Sequence, residues 1–186
     1  MAREKELWVF GYGSLMWSPG FEYEQVCLAT LAGYHRDLCV LSYVFRGTPE
    51  VPGIVMGLRP GGHCQGRAFK ISAKDEADVM AYLQAREMIN NVYDPCWLEI
   101  TLEDGRRCPA YTFVARRDHD QYVGDEPQHE KVRLVLQGFG QGGSALEYLD
   151  NTCTHLRDLL IRDAALETIL QVAQQQKAQK AKKYAK

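Results

Sequence analysis

The sequence predicts an α+β fold with a mixed, mainly antiparallel and barrel-like sheet. Two patterns predict this class: short apolar runs separated by turn residues come mostly as hairpins, and helical periodicity is concentrated late in the chain. The length of 186 residues and the hydrophobic content of 46% favour a single globular domain, which we expect over residues 1–173. Residues 174–186 are lysine-rich and weakly periodic, which is typical of a flexible basic tail.

The first strands are predicted from apolar runs that end at glycine. Residues 7–10 form such a run, and a glycine-rich loop follows it directly. Residues 25–45 contain two further apolar stretches, which are broken at residues 33–37. We therefore expect a buried strand before the loop and two further apolar stretches after it.

Two hairpins are predicted from turn chemistry between apolar runs. The first reverses at residues 59–62, where Arg-Pro-Gly-Gly separates the runs 53–58 and 66–71. The second reverses at residues 103–105, because Asp-Gly supplies the positive φ angles that a tight turn needs.

Three helices are predicted from capping residues and periodicity. Ser72, followed by an acid three residues later, resembles a capping box and predicts a helix over about residues 73–88. Ser144 and Glu147 form a second capping box, and Asp163 predicts the start of a last helix. The apolar residues that follow the second box at spacings of three and four are Leu146, Leu149, Cys153, Leu156 and Leu160.

Charge and hydropathy exclude several classes of protein. The net charge of −2 argues against a nucleic-acid binder, which is usually strongly basic. No stretch approaches the roughly 20 apolar residues that a membrane span needs. Residues 1–6 contain acids before a short apolar run, unlike a secretion signal, so we expect a cytoplasmic protein.

The cysteines and histidines do not show the spacing of a metal site. None of the six cysteines forms a Cys-x-x-Cys pair, and none of the five histidines forms a His-x-x-x-His pair. We expect reduced, partly buried thiols and no bound metal.

The glycine-rich loop is the first candidate for binding chemistry. Glycines let backbone N–H groups converge on a ligand, because no Cβ blocks the approach. The loop does not continue as a dinucleotide fingerprint, and a plain tight turn is the alternative interpretation. The residues of this glycine loop are Gly11, Tyr12, Gly13, Ser14, Leu15 and Met16.

Glu87 is the candidate acid–base group. It lies four residues after Leu83 and seven after Met80, so it shares the apolar face of the predicted helix. Burial on that face raises a carboxyl pKa toward the range of a general base. The alternatives are a frayed helix end or a pairing of Glu87 with a nearby arginine.

Arg46 is the candidate cation for a substrate carboxylate. It opens the turn-rich segment at residues 46–53, and an arginine can hold a carboxylate through two parallel hydrogen bonds. A solvated surface loop is the alternative interpretation of this segment.

Four segments in this order resemble the ChaC-like family of glutathione-specific γ-glutamylcyclotransferases. They are Val-Phe-Gly-Tyr-Gly-Ser-Leu-Met-Trp at residues 9–17, Arg-Gly-Thr-Pro-Glu at 46–50, Tyr-Leu-Gln-Ala-Arg-Glu at 82–87 and Glu-Tyr-Leu at 147–149. The likeness runs from about residue 7 to residue 170. The chain departs from the family in the glycine-rich linker before Glu-Tyr-Leu.

The resemblance implies a fold, an activity and a set of site residues. It implies a γ-glutamylcyclotransferase-like barrel with flanking helices that cleaves glutathione into 5-oxoproline and cysteinylglycine without a metal or organic cofactor. Glu87 would be the catalytic residue, and the glycine loop and Arg46 would bind the substrate. The hydroxyls of Tyr111 and Tyr148 are further candidate donors, with simple packing as the alternative.

Two other functions stay open at this level. The same fold could act on other γ-glutamyl amino acids or γ-glutamylamines, or it could be a non-catalytic binding module. We expect no nucleic-acid or membrane partner, and the oligomeric state is left open.

The charge is distributed unevenly along the chain. Residues 1–173 contain 17 basic and 24 acidic residues, a net charge of −7, because five of the lysines lie in the tail. Glutathione is itself an anion, so an acidic domain must hold it through local donors.

Overall fold

The computed structural model describes residues 6–184. Five strands form a closed barrel in the order β1-β3-β2-β4-β5, and four helices accompany it, so the predicted α+β class is confirmed. The barrel strands are β1 (Leu7–Gly11), β2 (Gln25–Ser42), β3 (Gly53–Ile71), β4 (Tyr93–Leu102) and β5 (Arg107–Ala115), and the two-residue strands Phe139–Gly140 and Gly143–Ser144 pair with each other in a separate small sheet. The helices are α1 (Glu76–Glu87), α2 (Gln128–Gln137), α3 (Ala145–Asp158) and α4 (Ala164–Tyr184).

The described chain divides into two compact units. Unit 1 consists of the described residues up to Arg36 together with Gly57–His119, and unit 2 consists of Asp37–Met56 and the residues from Asp120 onward. The expectation of one domain over residues 1–173 stays a prediction.

The barrel is mixed but mainly antiparallel. β1 pairs antiparallel with β3, β2 with β4 and β4 with β5, whereas β1 and β5 run parallel. Trp8, Phe10, Phe69 and Ile100 on these strands are at most 1% exposed. Burial of such side chains is the main favourable contribution to the folding free energy.

The predicted hairpin at residues 59–62 is wrong. β3 continues through this tetrapeptide as one strand, and β2 likewise continues through the break expected at residues 33–37. Gly33 has a φ of +82°, and Gly61 has a φ of +102°. Glycines within a strand often mark a local bend. Gly33 and Gly61 therefore take up bends inside β2 and β3 and do not reverse the chain.

The hairpin between β4 and β5 is confirmed. Gly105 has a φ of +85°, and its N–H donates to the carbonyl of Leu102 at 2.9 Å. The strands pair without interruption from Thr101 opposite Arg107 to Tyr93 opposite Ala115.

Helix α1 begins later than its predicted capping box. Asp75 is the N-cap and makes no side-chain capping bond. Ser72 lies in a turn before the helix, where its carbonyl accepts from the Asp75 N–H at 2.9 Å. The capping box at Ser72 is therefore wrong, although the helix itself is present and ends at Glu87.

The helices of unit 2 follow the predicted caps, with one addition and one correction. The Ser144 hydroxyl accepts from the Glu147 N–H at 3.1 Å, and the Asp163 carboxylate accepts from the Leu166 N–H at 3.3 Å. Helix α2 was not predicted. Leu160 was predicted to belong to the apolar face of α3, and this is wrong. It lies beyond the end of the helix with a φ of +58°, and its side chain is 94% exposed.

Helix α4 extends through Tyr184, so residues 174–184 have regular structure where a flexible tail was expected. Alanine, glutamine and lysine are good helix formers, and lysines near a helix C-terminus interact favourably with its dipole. Residues 174–183 are exposed, which explains why this helix lacks an apolar periodicity there.

The remaining sequence expectations concern the ends of the chain and metal ligands. Residues 1–5, on which the interpretation of the N-terminus depends, lie outside the described residues, as do residues 185–186. Among residues 6–184 no helix is long and apolar enough to cross a membrane, and no three His, Cys, Asp or Glu side chains cluster. The six cysteines are free thiols.

Candidate active site

Glu87 is the last residue of α1, and it lies on the buried face of this helix. Val79 and Leu83 precede it by eight and four residues and are buried on the same face. The Glu87 side chain is only 21% exposed. The helix therefore extends to Glu87 without fraying, and the carboxylate is largely withdrawn from solvent.

Two opposing effects act on the Glu87 carboxyl. Burial raises its pKa, while the charge and hydrogen bond of the Arg86 guanidinium lower it, and the pKa remains above its ordinary value. The position at the C-terminus of a helix acts in the same direction as burial, because the partial negative charge there disfavours an anion. A carboxyl with a raised pKa can both accept and return a proton near neutral pH.

The glycine loop begins at the end of β1, and its second half is a short 3₁₀ helix, Ser14–Met16. The Met16 N–H donates to the Gly13 carbonyl at 2.9 Å and closes the turn. Within residues 6–184, no protein acceptor lies on the N–H groups of Gly13, Ser14 or Leu15. Adjacent N–H groups of this kind can bind an anion or a developing oxyanion.

Two arginines of unit 1 bind carbonyl oxygens of this loop. Arg36 is 7% exposed and donates to the carbonyls of Tyr12 and Gln65, each at 2.5 Å. Arg67 donates to the carbonyl of Met16 at 2.8 Å. The two guanidinium groups thus hold the beginning and the end of the loop and place positive charge beside it.

A third arginine connects the loop to Glu87. Arg86 donates through Nη2 to the Ser14 hydroxyl at 3.0 Å, and its Nε lies 3.1 Å from Glu87 Oε1. Its Nη1 donates to the Tyr82 hydroxyl at 3.0 Å and to the carbonyls of residues 18 and 19 at 2.7 and 3.2 Å. Three cationic side chains, Arg36, Arg67 and Arg86, therefore bind the glycine loop. They are local positive charges of the kind that an acidic domain needs in order to hold an anion.

Tyr111 is a packed side chain of unit 1. It is 4% exposed, and its ring centroid lies 5.4 Å from Trp97 and 5.3 Å from Phe113. It lies on β5 opposite Val9 of β1. These contacts support the packed interpretation, and donation from Tyr111 to a substrate stays a prediction.

Arg46 and Tyr148 lie together in unit 2. Arg46 donates through Nη1 to the Ser144 carbonyl at 3.3 Å and approaches Glu147 Oε2 at 4.0 Å. Its guanidinium carbon lies 5.4 Å from the centroid of the Tyr148 ring, while the Tyr148 hydroxyl accepts from the Met56 N–H at 3.3 Å. The Arg46 side chain is 19% exposed, so it is not a freely solvated residue.

The unusual glycine-rich linker of unit 2 packs backbone against backbone with the segment around Arg46. The N–H groups of Gln141 and Gly142 donate to the carbonyls of Val44 and Phe45 at 2.9 and 2.8 Å. A Cβ at Gly140 would overlap the Val44 carbonyl oxygen. The glycines therefore permit this close approach, which gives the departure from the family pattern a structural reason.

Comparison with known proteins gives the family. The family model described as ChaC-like protein matches residues 7–176. The chain belongs to the ChaC-like family. Its sequence is 34% identical over 167 residues to the glutathione-specific γ-glutamylcyclotransferase of Escherichia coli strain K12, covering 90% of this chain and 72% of that protein.

Two further comparisons give a second relative and a structural neighbour. The chain is 31% identical over 147 residues to glutathione-specific γ-glutamylcyclotransferase 1 of Homo sapiens, which covers 77% of this chain and 66% of that protein. A crystal structure of a γ-glutamyl cyclotransferase specific to glutathione from yeast superposes with a TM-score of 0.84 at 23% identity, covering 92% and 97% of the two chains. This structural likeness shows the fold.

Three residues at the glycine loop of this ChaC-like protein were missed from the sequence: Arg36, Arg67 and Arg86. Arg86 directly precedes Glu87 in the Tyr-Leu-Gln-Ala-Arg-Glu segment, and that adjacency was the one available signal. Arg36 and Arg67 lie 24 and 51 residues from the carbonyls they bind, so no local pattern indicates their role.

Proposed function

We propose that this chain is a glutathione-specific γ-glutamylcyclotransferase that converts glutathione into 5-oxoproline and cysteinylglycine. The observation that carries the proposal is the withdrawn Glu87 carboxylate, connected through Arg86 to the glycine loop of a ChaC-like fold. The curated relatives bear the name of this activity. The enzyme is a lyase in which the nucleophile is part of the substrate.

The reaction needs the substrate to be folded and two protons to be moved. The α-amine of the γ-glutamyl group attacks its own γ-carbonyl carbon, which forms the ring C–N bond. The bond from that carbon to the cysteinyl nitrogen then breaks. Because the attack is intramolecular, correct orientation is equivalent to an effective concentration on the order of 10⁵–10⁸ M.

Glu87 is proposed to move both protons. As a carboxylate it takes a proton from the α-ammonium group, and as a carboxylic acid it gives that proton to the leaving nitrogen. The second proton is lost from the ring nitrogen as the lactam forms, and Glu87 passes it in the same way to the released amine. A raised pKa suits both steps, since neither protonation state is then strongly disfavoured near neutral pH.

The glycine loop is proposed to hold the γ-glutamyl group. The N–H groups of Gly13, Ser14 and Leu15 can donate to its carboxylate or to the oxyanion that forms at the γ-carbon. The arginines beside the loop make its surroundings favourable for negative charge in a chain whose net charge is −2.

The test is turnover of glutathione by the wild-type chain and by Glu87→Gln, with 5-oxoproline and cysteinylglycine detected by mass. We expect the wild type to form both products and Glu87→Gln to lose activity by about 100-fold or more. The matched control is Glu99→Gln, since the Glu99 side chain on β4 is 65% exposed. A Glu87→Gln enzyme with the parental rate would contradict the assignment.

Substrate preference is tested in the same assay. We expect glutathione to be turned over with a much higher kcat/KM than γ-glutamyl-alanine. The opposite order would assign the chain to other γ-glutamyl substrates, and no turnover of either would favour the non-catalytic binding module.

Arg46 is proposed to bind the glycyl carboxylate of glutathione, with Tyr148 and Tyr111 as weaker candidates for hydroxyl donors. Arg46→Lys removes the bidentate geometry but keeps the charge, so KM for glutathione should rise. An unchanged KM would exclude this role. We also propose that the protein acts in the cytoplasm, without nucleic-acid or membrane partners and without a cofactor.

A further inference from the structure

The guanidinium of Arg86 in unit 1 contacts the carboxylate of the next residue, Glu87, an arrangement that helix geometry alone does not produce. Neighbouring residues on a helix point about 100° apart, so residues i and i+1 do not normally face each other. The Arg86 Nε nevertheless lies 3.1 Å from Glu87 Oε1. Contacts outside the helix must therefore hold the guanidinium in this place.

Those contacts come from the glycine loop and from the chain that follows it. Nη2 donates to the Ser14 hydroxyl at 3.0 Å, and Nη1 donates to the carbonyl of Ser18 at 2.7 Å. The Tyr82 hydroxyl, one turn earlier on α1, accepts from the same Nη1 at 3.0 Å. All three nitrogens of the guanidinium are engaged, and the side chain is 22% exposed, so its orientation is well determined.

We infer that Arg86 is a positioning residue for the general base: it binds Glu87 Oε1, fixes it relative to Ser14 of the glycine loop and leaves Oε2 for the substrate amine. This inference rests on the proposed function, in which Glu87 is the base. Arg86 does not itself need to touch the substrate.

The same contact opposes the effect of burial on the pKa of Glu87. Among the described residues, Arg86 is the charged group that acts on the Glu87 carboxyl, and burial opposes it. The neutral hydroxyls of Ser14 and Tyr82 bind Arg86, which in turn binds Glu87. Without the cation, burial would act unopposed, and Glu87 would be protonated over more of the pH range in which it must act as a base.

The test compares Arg86→Gln and Arg86→Lys by the pH dependence of kcat and KM for glutathione. For Arg86→Gln we expect kcat to fall by about 100-fold with a smaller change in KM, because a base loses both its position and its ionised population. The acidic limb of the profile should move upward by about one pH unit. Arg86→Lys keeps the charge, so its limb should stay near the parental pH while kcat still falls. The control is Arg106→Gln, whose side chain is 56% exposed on the turn between β4 and β5.

A titration that does not depend on activity separates this inference from the proposed function. The Glu87 carboxyl can be assigned by ¹³C NMR as the resonance that Glu87→Gln lacks, and Ser14→Ala provides a milder variant if Arg86→Gln does not fold. We expect the apparent pKa of that resonance to rise in Arg86→Gln and, by a smaller amount, in Ser14→Ala. An unchanged pKa with unchanged kcat in these variants would overturn the positioning role even if Glu87→Gln is inactive. Absence of 5-oxoproline formation by the wild type would instead reject the proposed function.

Discussion

The buried guanidinium of Arg36 donates to the carbonyl oxygen of Tyr12 at 2.5 Å, and this contact sets the direction of the next N–H group. In a trans peptide the carbonyl and the following N–H point in opposite directions. Arg36 therefore turns the N–H of Gly13 away from itself. By binding the Tyr12 carbonyl on one side of the loop, Arg36 orients the Gly13 N–H toward the opposite side.

Replacement of Arg36 by lysine should weaken catalysis through the loop. One ammonium group cannot reproduce the planar fork that serves Tyr12 and Gln65 together. We expect Arg36→Lys to reduce kcat/KM for glutathione by about 10- to 100-fold, less than the roughly 100- to 1,000-fold loss that follows complete removal of an oxyanion donor. The measurement is steady-state kinetics well below the unfolding temperature of each variant. Arg116→Lys, which alters an arginine paired with Asp118 on the surface, is the control and should keep the parental kinetics.

The pH dependence of kcat/KM should show the raised pKa of Glu87. The base must be ionised to accept a proton, so activity falls as the pH decreases through this pKa. Because burial raises the pKa, the acidic limb should lie above the ordinary glutamate value of about 4.3. Initial rates over a series of buffers of constant ionic strength measure the limb. A midpoint at or below the ordinary value would contradict the raised pKa.

The raised pKa of Glu87 should also make the unfolding free energy depend on pH in a defined direction. A carboxyl whose pKa is higher in the folded state binds protons more strongly when folded. The unfolding free energy therefore falls as the pH rises from about 4.3 through the raised pKa. Glutamine does not titrate, so the unfolding free energy of Glu87→Gln relative to the wild type should increase over this window and then stay constant. Urea unfolding of both proteins at several pH values measures the difference, and a flat difference would be inconsistent with a raised pKa.

Local patterns in the sequence predicted the elements that depend on near neighbours. The inward face of α1 could be predicted because Leu83 and Glu87 are one turn apart. The start of α3 could be predicted because the Ser144 hydroxyl binds an N–H only three residues away. The Asp-Gly turn at residues 104–105 is equally local, since two residues determine its backbone angles.

The contacts that build the candidate site are not local, and the sequence pattern did not predict them. Arg86 and Ser14 are separated by 72 residues, so their pairing depends on how β1 and α1 are placed by the barrel. The predicted hairpin at residues 59–62 failed for a related reason. Pro-Gly-Gly has strong turn chemistry, but β3 continues through it as one strand beside β2 in the barrel, so the tertiary context outweighs the local preference.

Two glycines with positive φ should respond differently to substitution by alanine. Gly33 has a φ of +82° with open space around it, whereas a Cβ at Gly20, with a φ of +75°, would overlap the Tyr82 hydroxyl. Gly33→Ala should destabilise the protein by about 1–2 kcal/mol from backbone strain alone. Gly20→Ala should lower the unfolding free energy further, because Tyr82 must move and lose its hydrogen bond with Arg86. Equal losses in chemical denaturation would show that Tyr82 moves without penalty.

The buried ion pair of unit 2 should be far more sensitive to the loss of one partner than an exposed pair. Lys131 Nζ lies 2.8 and 2.7 Å from the two carboxylate oxygens of Asp37, and the side chains are 9% and 15% exposed. Asp37→Asn removes the negative charge that pairs with the Lys131 ammonium group, which is largely shielded from solvent. We expect it to lower the unfolding free energy by about 3–5 kcal/mol.

A double variant and an exposed pair complete this experiment. Asp37→Leu combined with Lys131→Met removes both charges and should recover most of the loss, because two apolar side chains need no compensating charge. Glu99→Gln breaks the pair of Glu99 and Arg107, whose side chains are 65% and 71% exposed, and should lower the unfolding free energy by at most about 1 kcal/mol. Similar losses for Asp37→Asn and Glu99→Gln would mean that solvent reaches Lys131 and compensates its charge.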